Sequence, residues 1–231
     1  MSQEHATDVF DPAIKAQQLF TLPRGARQIL LIRHGSSIGA TTDTVEVDGL
    51  NVSDPELSQD GQAQALLVAA HLYREKLSGI FVTPLRRTQQ TAAPLAALTR
   101  LMPVPVADLR EVYLGDFEHN IYEQAAKGNP VLARMFSEES WEAVPNAEGN
   151  AAFAARVRRG IESVVAATEP GTSVAAFSHA GTISQICCLA TGSRNFAFTA
   201  VDNTSVSRLI VQADGTWRLR SYNETTHLFY A

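Results

Sequence analysis

Three aliphatic runs constrain the fold more than any other feature of the chain: QILLIRHGSS from Gln28, GIFVTPLRRT from Gly79 and SVAAFSHAGT from Ser173. Each is a short continuous apolar segment, which suits a strand buried on both faces in the middle of a parallel sheet. Each stops abruptly at polar or cationic residues, and the second and third run straight into helical sequence. Open α/β sheets place their ligand crevices at the carboxyl ends of such strands. Arg33 and His34, Arg86 and Arg87, and Ser178 and His179 are therefore predicted to converge from distant parts of the sequence. Two imidazoles and at least two guanidiniums in one crevice make an anion site.

The remaining pattern fills in the layers. After the first strand, SSIGATTDTVEVDGLNVSDPELS reads as a long loop. Ser58 is an N-cap for a helix in which Leu66, Ala70, Tyr73 and Leu77 recur at helical spacing before Gly79 ends it. Val104 to Ala107 is a short strand, and Ala151 to Ala167 a helix. Ser205–Val211 and Trp217–Tyr222 flank Asp214-Gly215 as a hairpin. Strands alternating with helices predict a three-layer α/β/α sandwich, its mostly parallel central sheet carrying an antiparallel edge. Residues 113–150, irregular and helical, read as a helical cap inserted over the sheet. Residues 28–231 form one domain and 1–27 an extension, which either packs as a short helix from Pro12 to Phe20 or stays mobile.

At 231 residues the chain can bury a full core. Its net charge of −5 gives no electrostatic footprint for nucleic acid or an anionic membrane, and no apolar run reaches a membrane span. The amino terminus lacks the basic and apolar regions of a signal peptide. Cys187 and Cys188, adjacent in QICCLATG, read as buried thiols, which fits a reducing cytoplasm. No histidine or cysteine pair has metal-ligand spacing, so neither a metal nor another cofactor is expected. His5, His71 and His227 are read as structural or solvated.

RHG after an aliphatic strand, LSQDGQAQA, TPLRRTQQTA, LREVYLGDFE, AEGNAAFAARV and FSHAGTI occur in the order and near the spacing of one family. From about residue 28 to the final strands the chain resembles the histidine phosphatase superfamily, the phosphoglycerate-mutase-like proteins. The resemblance implies that His34 is a nucleophile that becomes transiently phosphorylated. Arg33, Arg87 and His179 would hold the phosphoryl oxygens, Arg86 would take the variable basic position, and Glu111 would be the proton donor. These residue types suit the chemistry. Rigid cationic donors neutralise a phosphoryl group and hold its attacking and leaving atoms in line without a metal. The nucleophilic imidazole must be neutral, with its other nitrogen donating to a backbone carbonyl.

Where relatives read RHG-x-Thr-x-x-Asn, this chain has Ser37 and Ala40, keeping a phosphate-binding hydroxyl and losing an amide that Asn51 or another loop residue would replace. His119 stands where many relatives have glycine. The expected partner is a small phosphorylated substrate, with a homodimer left open. Metal-independent phosphomonoester hydrolysis is the first reading. A phosphoglycerate mutase is the alternative, and a phosphate-binding module without turnover a third. Finally, Ser36–Asp60 carries Asp43, Glu46, Asp48, Asp54, Glu56 and Asp60 and no cation. The stretch 113–150 is similarly acidic, so the crevice walls are predicted to be acidic, with Met135, Phe136 and Trp141 as substrate contacts.

Overall fold

A computed structural model describes residues 20–39 and 43–229. The expected amino-terminal helix and Ala40 therefore lie outside the described residues, apart from Phe20, which is not helical. Six strands form the central sheet: β1 (Arg27–Arg33), β4 (Leu77–Val82), β5 (Pro103–Pro105), β6 (Ser173–Ser178), β7 (Val206–Val211) and β8 (Trp217–Glu224), in the order β5-β4-β6-β1-β7-β8. The first four of that order run parallel, whereas β7 is antiparallel to β1 and β8 to β7. The mostly parallel sandwich with an antiparallel edge is thus the fold that the alternating strands and helices predict.

Side chains of β1 alternate between two buried layers, which is why its aliphatic run is uninterrupted. Leu30 and Ile32 pack with Val68, Ala69 and Leu72 of α1 (Gln59–Leu72) and with Ala92 and Leu95 of α2 (Arg86–Thr99). Ile29 and Leu31 face the opposite layer, joining Phe153, Val157 and Ile161 of α5 (Asn150–Ala166) and Ile183 and Ile186 of α6 (Ala180–Thr191). Cys187 and Cys188 are free and buried on α6, and burial pushes the Cys187 thiol up to about 12. The cap contains α3 (Ile121–Ala126) and α4 (Pro130–Glu138) around a small core of its own: Phe117, Leu132, Met135, Ala143 and Val144.

Three local expectations are corrected. The long loop contains a hairpin of β2 (Thr44–Val47) and β3 (Leu50–Ser53), turned by Asp48 and Gly49 with φ of 53° and 77°, the paired positive values of a tight two-residue turn. The third strand spans Pro103–Pro105, with Ala107 already in a 3-10 turn. Helix α1 starts after Ser58, whose side chain accepts from the Gly61 N–H as an N-cap should, but it ends at Leu72, leaving Leu77 and Gly79 to β4. Its buried face is also different: Leu66 and Tyr73 are 62% and 57% exposed, while Gly61, Ala65, Val68, Ala69 and Leu72 face inward. The reason is close approach. A Cβ on Gly61 would lie 1.9 Å from the Ser36 carbonyl oxygen, and one on Gly35 would lie 2.6 Å from the Gly61 carbonyl oxygen, so the small-residue face is the one that fits against the loop after β1.

Candidate functional site

The parallel pairing of β1 with β6 brings Arg33 opposite Ser178 and sets His34 and His179 side by side just beyond the strand ends. His34 N–H donates to the Ser178 carbonyl at 3.0 Å, and the Asn203 side-chain amide donates to the His34 carbonyl at 2.9 Å. The imidazole is held as well as the backbone. Its Nδ1 lies 2.7 Å from the Gly35 carbonyl oxygen, an obligate acceptor, so Nδ1 carries the hydrogen and Nε2 the lone pair. Burial, then the charges of Arg87 and Arg33, hold His34 well below the ordinary imidazole range, against the opposing bond to Gly35.

His179 occupies the N-cap position of α6, fully buried, with its ring 5.2 Å from that of His34. Its Nε2 is 3.1 Å from Thr83 Oγ1, and its Nδ1 is buried with no partner among the described residues. Burial, then the nearby charges of Arg87 and Arg33, hold it well below the ordinary imidazole range too. His179 lies behind the crevice surface rather than on it. Arg87 projects from the first turn of α2, where its Nη1 donates to the Ser53 carbonyl at 3.0 Å and stands 4.0 Å from Asp54. Burial lowers its pKa, with the carboxylates of Glu111, Asp54 and Glu118 acting in the opposite sense. Arg33 Nη1 donates to the Val201 carbonyl at 2.5 Å, while its Nε is buried and unpartnered among the described residues.

Glu111 reaches the site from the other side, at the start of α6. Its Oε2 accepts from Gly181 N–H at 3.1 Å, and its Oε1 from the Thr182 and Val112 N–H groups, each at 3.1 Å, so a carboxyl group sits on the positive end of the helix. The backbone behind it is strapped down. Ser178 Oγ donates to the Leu109 carbonyl at 2.8 Å and Thr182 Oγ1 to the Arg110 carbonyl at 2.7 Å. Arg156 of α5 donates to the carbonyls of Asp108, Arg110 and Glu111 while pairing with both oxygens of Glu148. Burial alone would raise the Glu148 carboxyl; the bonds and charge of Arg156, with Arg110, outweigh it and leave the value lowered.

These groups surround a crevice of about 310 Å³ lined by Arg33, His34, Ser37, Arg87, Glu111 and Asn203 at its floor, with Ile38, Pro55, Leu114, Glu118, His119, Ile121 and Tyr122 around them. Ser37 reaches it through a single bridge to Leu57. Asn51 is exposed on β3 and does not line it; the amide present is Asn203, which arrives from the loop before β7. No local pattern in the sequence marks Asn203, nor Thr83 as a partner of His179, because both act through contacts between distant segments. Among the described residues, no three His, Cys, Asp or Glu side chains form a group that could hold a metal ion, and no helix is long and apolar enough to cross a membrane.

The acidic walls are corrected. Of the acids in the two segments, only Glu118 lines the crevice. Asp43 and Asp54 pair with Arg86, at 2.8 and 3.2 Å, Asp48 and Glu148 with Arg110, Glu123 with Lys127, and Glu139 with Arg194. Met135 is buried in the cap core, Phe136 is exposed, and Trp141 packs edge-to-face on Phe153 and tilted against Phe196; none of the three lines the crevice.

A mixed sheet that gathers two neutral imidazoles, two guanidiniums and a carboxyl group at the ends of parallel strands defines a class of α/β proteins built around a histidine-centred anion crevice. The chain belongs to the histidine phosphatase superfamily, branch 1, whose sequence model matches residues 29–225. It is 29% identical to a bifunctional protein of Mycobacterium tuberculosis over 236 residues, an alignment that covers 98% of this chain and 64% of that protein. The chain therefore spans just under two thirds of that relative. It is also 29% identical over 168 residues to glucosyl-3-phosphoglycerate phosphatase of M. tuberculosis, covering 70% of this chain and 74% of the relative. The solved structure of the mycobacterial glucosyl-3-phosphoglycerate phosphatase superposes with a TM-score of 0.70 at 26% identity, covering 87% of this chain and all of that one.

Proposed function

We propose that the chain hydrolyses phosphate monoesters, without a metal, through a phosphohistidine on His34. The observation that carries this reading is the fixed tautomer of His34: a buried, neutral ring whose Nδ1 is committed to Gly35 and whose Nε2 lone pair is available beside Arg33 and Arg87. In the first step Nε2 attacks phosphorus as the bond to the ester oxygen breaks, and protonated Glu111 gives its proton to the departing oxygen. In the second, Glu111 takes a proton from water, whose oxygen attacks the phosphohistidine and releases inorganic phosphate and a free His34. Arg33 and Arg87 neutralise the phosphoryl oxygens throughout, while His179, edge-on to His34 and buried behind it, backs the nucleophile's ring rather than reaching the phosphoryl group. Ser37 adds a hydroxyl to this phosphate cradle. Two free, buried cysteines are in keeping with a reducing cytoplasm.

Hydrolysis of p-nitrophenyl phosphate in the presence of EDTA, compared between the unaltered chain and His34→Ala, tests the proposal. Activity should persist with EDTA and fall by at least about a thousandfold in the variant. Loss of activity on chelation, or full activity in His34→Ala, would refute it. Interconversion of 3- and 2-phosphoglycerate without phosphate release would make the enzyme a mutase.

A further inference from the structure

We infer that the substrate's leaving group carries no negative charge and presents an apolar or aromatic body, a refinement that rests on the hydrolase reading above. Cation supply comes first. Among the described residues lining the crevice, Arg33 and Arg87 are the guanidiniums and there is no lysine. A phosphate monoester dianion uses both. Cations in the segments that flank the crevice are engaged elsewhere: Arg86 with Asp43 and Asp54, Arg110 with Glu148, Lys127 with Glu123, and Arg134 with the Ala143 carbonyl. A second phosphate or a carboxylate on the leaving group would find no further guanidinium or ammonium there.

It would instead meet Glu118. This side chain is fixed in the wall by N–H donors from Ser53 to Oε1 at 3.0 Å and from Leu114 to Oε2 at 2.9 Å, a clasp that joins the end of β3 to the start of the cap. Around it the wall is largely apolar, with Ile38, Pro55, Leu114, Ile121 and Tyr122, and the His119 imidazole standing among them. Tyr122 is 76% exposed, so its ring is not part of the cap core and offers a face at the crevice mouth on which an apolar or aromatic body can stack. A cavity of about 310 Å³ accommodates a phosphoryl group and a body of this size. Cation shortage, a fixed carboxylate and an apolar rim all select in one direction.

Matched esters and phosphonates test this substrate class. Turnover of phenyl phosphate and 4-carboxyphenyl phosphate is measured alongside calorimetric binding of phenylphosphonate and 4-carboxyphenylphosphonate, at two salt concentrations. The member without the carboxylate should be favoured in each pair by about tenfold at low salt, the effect of one unit charge several ångströms from Glu118, and the gap should narrow with salt. Ile121→Lys, which adds a cation to the rim, should shrink the gap severalfold. Equal treatment of the pair, preference for the carboxylated member, a ratio unmoved by Ile121→Lys, or binding of neither phosphonate would each overturn the inference. Absent turnover with the same discrimination in binding would remove the hydrolase reading and leave the charge preference supported.

Discussion

Gly181, the second residue of α6, separates positioning of the proton donor from stability of the fold. A Cβ at this position would lie 2.7 Å from Glu111 Oε1, with the Glu111 carboxyl carbon and Val112 Cγ1 at 3.4 Å, where contact is ordinary. Gly181→Ala therefore forces the carboxyl oxygen to move by about 0.7 Å, the shortfall from normal contact. Oε1 is the atom that accepts from Thr182 and Val112, so its bonds at 3.1 Å are stretched or lost. The atom displaced is the end of a flexible side chain, and alanine favours a helix over glycine by up to about 1 kcal/mol, so the melting temperature should change little. Catalysis should respond differently. Misplacement on the order of 1 Å costs up to about a hundredfold, within the range of a general acid's whole contribution. The loss should depend on the leaving group when read in kcat/KM, which covers only the steps through departure of the ester oxygen: about a hundredfold for an alkyl phosphate, which needs a proton on that oxygen, and within about fivefold for p-nitrophenyl phosphate, which leaves as an anion. Steady-state kinetics on the two esters, with a thermal melt of each protein, make the measurement. An unchanged kcat/KM on the alkyl ester, or an equal loss of kcat/KM on both, would refute the assignment of Glu111 as proton donor.

Other consequences are as direct. Gly61→Ala sets backbone against backbone, 1.9 Å from the Ser36 oxygen, and should destabilise by about 3 kcal/mol, seen as a melting temperature lower by about 6–12 °C. An ordinary histidine is about nine-tenths protonated at pH 5.5. His34, lowered by burial and by Arg87 and Arg33, should remain neutral there in ¹⁵N-histidine NMR, and Arg87→Ala should move its titration upward. His227 stacks on His71, and burial together with that neighbour lowers it to about 4. As pH falls, the unfolded chain takes up this proton near 6.5 and the folded chain only near 4, so stability present above pH 6.5 is lost across that window. His227→Gln should remove about 1–2 kcal/mol of the acid-induced loss, half the full linkage value because the ring is only half-buried; urea titrations at pH 7 and pH 4 measure it.

The sheet was legible because its central strands are buried on both faces, which writes them as unbroken aliphatic runs, and because their polar ends mark where the chain turns. His34, Arg33, Arg87 and Glu111 were legible for the same reason, each standing beside a recognisable strand end or motif. Helix α1 misled because hydrophobicity pointed to Leu66 and Tyr73, whereas the decisive quantity was clearance: only the Gly61, Ala65 and Ala69 side lets the helix approach the Ser36 backbone. The β2–β3 hairpin was hidden in polar sequence, although Asp48-Gly49 carried the same turn signal that correctly placed the β7–β8 hairpin. The acids around the crevice could not be assigned from spacing, since their arginine partners come from α2, the segment after β5 and the loop after α6.

The cap carries its own core of Phe117, Leu132, Met135, Ala143 and Val144, joined to the main one through Leu114 and Trp141. The residues that would cleave a phosphate ester stand at the sheet, on α2 and in the segment after β5 that is bound to the start of α6, while the cap supplies Ile121 and Tyr122 to the rim. A segment with a separate core can be lengthened, shortened or exchanged during divergence at a largely local expense in stability. Descendants of such a scaffold can therefore change what they accept many times over without reinventing how they cut it.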